Sequence, residues 1–169
     1  MQDKVFKNRI LPLKDKFFRL ALSITGNKPD AEDIVQDTLL HLLKKQGHWH
    51  AIENIEAYCF RAIRNHALDV LASKEKQANR LQDNADYPDT KDIEEQLSKQ
   101  EDINLIFQLI EQLPEKQKTI MQLRDVEGLN YKEIAEIMEI PEEQVKVYLF
   151  RTRQKIKKHF MAIQNYGIK

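Results

Sequence analysis

Glycine and proline are scarce in this chain, four and five among 169 residues. So few turn-formers favour long helices over many short strands. Cysteine is nearly absent: Cys59 alone allows no internal disulfide, which suits a reducing cytosol. Long hydrophobic runs are also missing. The longest, such as Ala57-Tyr58-Cys59-Phe60 and Val147-Tyr148-Leu149-Phe150, are far short of the ~20 residues that cross a bilayer, so a membrane-inserted protein is excluded. Met1–Phe6 carries an acid and no apolar stretch, so no secretory signal is expected. What is present is ordinary for a globular chain, with 32% charged and 41% hydrophobic residues, which argues against wholesale disorder or a fibrous repeat. The length accommodates one domain or two small ones.

The formal net charge is zero, but the charges are segregated. Residues 101–143 hold four bases and eleven acids, whereas residues 144–169 hold seven bases and no acid. Clustered Lys and Arg at the chain end attract phosphate; the plainer alternative is a solvated helix face. Chemistry-bearing clusters are thin elsewhere. His41, His48, His50, Cys59 and His66 fall into no zinc spacing. No phosphate-cradling glycine loop or serine elbow occurs. Neither a metal, a cofactor, a small-molecule substrate nor an enzymatic activity is expected.

Hydrophobic periodicity divides the chain. Leu13, Phe17, Leu20 and Ile24 form one helical stripe, with Pro12 at its first turn or kinking it. Ala31, Ile34, Val35, Leu39, Leu42 and Leu43 mark a second helix, with acids at its start and Lys44-Lys45 at its end, as the helix dipole favours. A third helix is predicted over 54–73, with Tyr58, Ala62, Ile63 and Leu68 among its inward residues. Residues 74–100 are poor in apolar side chains and contain Pro88, which predicts a linker, partly helical at its ends and mobile over 84–90. Beyond it, Ile103, Phe107, Ile110 and Leu113 form a stripe ended by Pro114. A helix ended by Gly128 follows, then helices over 131–138 and 141–160. The expected fold is all-α: two small helical domains, 1–73 and 101–169, joined by a flexible linker.

The most specific stretch is Leu129–Leu149. A helix-turn-helix needs a small residue where its helices cross, and Ala135 supplies it, flanked by Ile134, Met138, Ile140, Val145 and Leu149. If Val145, Leu149 and Ile156 are buried, the next face carries Gln144, Tyr148, Arg151 and Lys155, with Arg153 and Lys157 flanking. Such a face suits phosphates and base edges in a major groove. A purely structural hairpin is the alternative.

Three segments resemble the extracytoplasmic-function group of bacterial RNA polymerase sigma factors, in family order. "LPEKQKTIMQLRDVEGLNYKEIAEIM" followed by "VKVYLFRTRQKI" resembles the minus-thirty-five reader. "DAEDIVQDTLLHLL" resembles the segment that docks on core RNA polymerase, and "AYCFRAIRNHALDVL" the segment that reads and melts the minus-ten element. The resemblance implies polymerase contacts at Asp33, Gln36 and Asp37. It implies minus-ten contacts at Tyr58, Phe60, Arg61, Arg64 and Asn65, with Asn65 the residue for the base. Minus-thirty-five contacts are implied at Lys146, Arg151, Arg153 and Lys155, to which the exposed face of the helix adds Gln144 and Tyr148. The implied partners are core RNA polymerase, promoter DNA and an anti-sigma factor, in the cytoplasm. Read without the family, Asp33 serves equally as dipole compensation, and Tyr58 and Phe60 as core. The sequence also departs from the family pattern. Glu139 stands where a turn glycine is usual, Glu142-Glu143 where small residues are, Val147-Tyr148 where Ser-Arg is common, and Tyr58 where the family has tryptophan. A stand-alone helix-turn-helix regulator binding an operator as a dimer is the second hypothesis, and a protein that sequesters a partner through its acidic helices the third.

Overall fold

A computed structural model describes residues 2–81 and 99–167. Among these the chain is helical throughout its elements, as the lack of glycine and proline predicts. A short helix α1 (Gln2–Val5), a π-turn (Phe6–Ile10) and a 3-10 turn (Leu11–Leu13) lead into α2 (Lys14–Thr25). Pro12 opens the 3-10 turn, where its missing N–H costs nothing. Gly26 closes α2 at φ 64°, a left-handed conformation that costs glycine little. Asn27 then caps α3 (Lys28–Lys44) by accepting from the Asp30 amide at 3.0 Å. The 3-10 segment Gln46–Ala51 follows, and Asn54 accepts from the Ala57 amide at 3.0 Å at the start of α4 (Ile55–Leu81).

α4 extends eight residues beyond the predicted end at Ser73. Its inward face is Cys59, Phe60, Ile63 and Ala67; of the residues predicted inward, Ile63 is fully buried whereas Tyr58, Ala62 and Leu68 are half-buried. These side chains close the first core with Phe17 and Leu20 of α2 and Ile34, Val35 and Leu42 of α3. Phe17 meets Phe60 edge-to-face at 4.8 Å. Leu43, expected on the inner stripe of α3, lies toward solvent. The mobile segment predicted over 84–90 lies outside the described residues.

The second half comprises α5 (Lys99–Glu111), α6 (Glu115–Met121), a π-turn (Gln122–Val126), α7 (Tyr131–Met138) and α8 (Glu142–Gly167). Ile120, Leu123, Ile134, Ile137, Val145 and Leu149 are buried here. The stripe predicted on α5 is only partly used: Leu113, just beyond the helix, is buried, while Ile103 and Phe107 are 52% and 60% exposed. α5 packs mainly against α8, so one side of it is left uncovered. The two halves are in contact. α7 packs on α4 and α6 on α2, and the buried apolar residues of both halves form one cluster.

Candidate nucleic-acid and partner interfaces

The C-terminal face is built on a tightly fixed turn. Asn130 caps α7 through a reciprocal box with Glu133, the two bonds measuring 2.8 and 2.9 Å. At the other end Glu139 takes φ 56°, ψ 42°, and the Ile140 amide donates to the Ala135 carbonyl at 3.2 Å. The left-handed residue lets α8 leave at an angle to α7, so Val145, Leu149, Thr152 and Ile156 face inward. Gln144, Lys146, Arg151, Arg153 and Lys155 are exposed, whereas Tyr148, expected on the exposed face, is half-buried. Glu143, Gln144, Val147, Tyr148 and Arg151 line a shallow groove along this face.

Not all of these cations stand alike. Arg153 donates to Asp125 through both Nε and Nη2, and this pairing holds its guanidinium above its ordinary pKa. Lys146 and Arg124 both lie over the Tyr131 ring, at 5.7 and 4.7 Å from its centroid. Any phosphate approaching Arg153 competes with a carboxylate already in place.

On α4 the predicted minus-ten set separates. Asn65 is exposed. Tyr58 is half-buried, with the Arg61 guanidinium 5.8 Å from its ring centroid. Phe60 is corrected from a DNA contact to a core residue: it is 2% exposed and seated against Phe17, so its ring offers no face to a base. Arg61 and Arg64 point toward the C-terminal half. Arg64, its side chain 10% exposed, donates to Glu115 from Nε at 3.2 Å and from Nη2 at 3.0 Å. Arg61 reaches Glu139 at 3.4 Å. Beside them, burial pushes the Cys59 thiol up to about 12, with the Glu56 charge adding to the shift.

On α3, Asp33, Gln36 and Asp37 are exposed on one face, with Leu40, 56% exposed, one turn further on. Asp30 is the acid in the first turn and pairs with Lys74. Asp33 and Asp37 lie beyond the reach of simple dipole compensation, which fades within a turn. A row of two carboxylates, an amide and a leucine with no inward partner suits a basic and partly apolar partner surface.

Sequence reasoning did not find Arg19, Glu115 and Glu127 as long-range partners, nor Leu40 exposed beside the acidic row of α3. Arg19 holds Glu127 with two bonds of 2.8 and 2.9 Å, and this contact raises the arginine above its ordinary pKa. The excess of acid over residues 101–143 is the one sequence signal that bears on these contacts.

Comparison with known proteins agrees with this geometry. The family described as Sigma-70 region 2 matches residues 10–77, and that described as Sigma-70, region 4 matches residues 103–156. RNA polymerase sigma factor SigV of Bacillus subtilis is 31% identical over 138 residues, covering 82% of this chain and 80% of that protein. The ECF RNA polymerase sigma factor SigM of the same organism is 27% identical over 153 residues, covering 89% and 90%. Among solved structures, the sigma factor RpoE in complex with the anti-sigma factor NepR from Bartonella quintana superposes with a TM-score of 0.65 at 23% identity, over 95% of this chain and 98% of that one. CnrH in complex with the cytosolic domain of CnrY gives 0.61 at 16% identity, over 95% and 90%. Fold and matches together define a two-domain transcription initiation factor. The chain belongs to the sigma-70 family of RNA polymerase sigma factors, in its extracytoplasmic-function group.

Proposed function

We propose that the chain confers promoter specificity on core RNA polymerase by dividing three tasks among three helices. The exposed face of α3, with Asp33, Gln36, Asp37 and Leu40, docks on the polymerase. Arg61, Arg64 and Asn65 of α4, flanked by Tyr58, hold the minus-ten strand, with Asn65 bonding a base edge. α8 enters the major groove of the minus-thirty-five element through Gln144, Tyr148 and Arg151, with Lys146, Arg153 and Lys155 on phosphates. Residues 1–73 and 101–169 act as two working domains. The protein carries out no bond chemistry of its own and acts in the cytoplasm with the polymerase. An anti-sigma factor controls it; the superposing sigma factor RpoE was solved with the anti-sigma factor NepR bound.

The observation that carries this proposal is the exposed face of α8, bounded by buried Val145, Leu149 and Ile156 and free of acid after Glu143, in one chain with the exposed acidic row of α3. A gel shift on promoter DNA tests it, run with and without core polymerase. A specific shift only when polymerase is present is expected. A specific shift by the protein alone as a dimer would establish a stand-alone regulator instead, and no shift in either lane would leave a sequestering protein.

A further inference from the structure

Lys146 and Arg153 are both assigned above to phosphates, and each already has a partner, but the partners differ in kind. Arg153 is held by a carboxylate, Asp125, which offsets its charge. Lys146 is held by a ring. Its Nζ lies 5.7 Å from the centroid of Tyr131, within reach of a cation–π contact, and among the described residues no carboxylate pairs with it. An aromatic face attracts a cation through its quadrupole and carries no net charge, so it fixes the ammonium without neutralising it. Of the three N–H donors on that ammonium, those turned away from the ring stay free for an anion.

Tyr131 is itself well fixed. It is the first residue of α7, directly after the Asn130 cap, and it is half-buried against the core. The Arg124 guanidinium lies 4.7 Å from the same centroid and donates to the Leu129 carbonyl at 2.8 Å, so an anchored cation also bears on the ring. α8 places Lys146 on a defined flank. Each helical step turns about 100°, so with Val145 buried, Gln144 and Arg151 fall to one side and Lys146 and Arg153 to the other. Lys146, Arg153 and Lys157 share a surface hollow with Tyr131. A helix in the major groove has a phosphate backbone along each flank, and Tyr131 stands on the Lys146 side. A free lysine side chain loses much rotamer freedom when a phosphate orders it; one already held in place loses less. We infer that Tyr131 is a positioning residue for minus-thirty-five binding: its ring sets the Lys146 ammonium toward one phosphate backbone before DNA arrives and leaves its charge uncancelled.

This inference rests on the assignment of Lys146 to a phosphate in the proposed function, and the experiment separates the two. The full-length protein in complex with core polymerase is titrated with a fluorescein-labelled promoter duplex, selected from a randomised library by the original complex, over a range of salt concentrations. Lys146→Ala should lower the salt slope by about 1. Tyr131→Leu should weaken binding roughly two- to fivefold, the worth of an exposed cation–π contact. Tyr131→Phe, which keeps the ring and loses the hydroxyl, should restore the affinity to within about twofold of the original. In a Lys146→Ala background Tyr131→Leu should then cost nothing further, and Tyr131→Met serves if Tyr131→Leu loses helicity. A ring that only packs α7 would weaken both backgrounds alike, and that result overturns the inference, as does Tyr131→Phe binding as poorly as Tyr131→Leu. Without DNA, ring current should move the Lys146 methylene protons upfield in the original protein and in Tyr131→Phe but not in Tyr131→Leu. If that shift is present while Lys146→Ala leaves affinity and salt slope unchanged, the contact exists and the phosphate assignment fails. If the shift is absent while Lys146→Ala lowers the slope, the assignment stands and the positioning is overturned.

Discussion

Glu139 holds φ 56° at the C-terminus of α7, where an L side chain costs on the order of 1 kcal/mol relative to glycine. This strain is foreseeable from the sequence, since the family resemblance places a glycine there. Glu139→Gly should therefore raise stability by up to about 1 kcal/mol in thermal denaturation, less the small worth of the exposed pair with Arg61. Asn130→Ala, which removes half of the capping box, should cost about 1 kcal/mol in the same measurement. Phe60 shows the limit of sequence at this scale. In Ala57-Tyr58-Cys59-Phe60 four apolar residues succeed one another, and such a run does not fix which of them point inward. Only the packing of α4 against α2 and α3 sorts Cys59 and Phe60 into the core and leaves Tyr58 at its edge.

The helices themselves were largely legible, because each carries an apolar stripe or a stop signal. The exceptions have physical causes. Lys74–Leu81 lacks an apolar face and so resembles a linker, yet it contains no breaker and is rich in Lys, Gln, Glu and Ala, which continue a helix already begun. Ile103 and Phe107 keep helical spacing although no described element covers them. Two predictions belong to single helices. On α3, Asp37→Lys with Leu40→Ala should weaken polymerase binding at least about tenfold with unchanged circular dichroism, since both side chains are exposed. On α8, Arg151→Ala should lower the salt slope of minus-thirty-five binding by about 1. Arg153→Ala should lower it by less, because Asp125 already neutralises that cation. Equal slopes for the two variants would show that Asp125 releases Arg153 without competition.

At the scale of the whole chain, the sequence discloses two domains and their order but not their embrace. Arg19 and Glu127 are 108 positions apart and Arg64 and Glu115 are 51 apart, and no local pattern specifies pairing over such separations. The acidic block 101–143 shows only that this half seeks cations. Hydrogen exchange should report docking on the polymerase. Amides of α3 should exchange more slowly on docking, while those where α4 meets α7 should exchange faster as the halves part. Slower exchange at both places would mean that the chain stays closed on the enzyme.

Cys59 is enclosed on the inner side of α4, and its sulfur stays protonated across the physiological range. Thiol reagents therefore find nothing to attack on the folded protein. A cysteine introduced on the outward side of α3 or α8 becomes the one reactive handle, able to carry a dye or crosslinker at a single defined point with the native sulfur left in place.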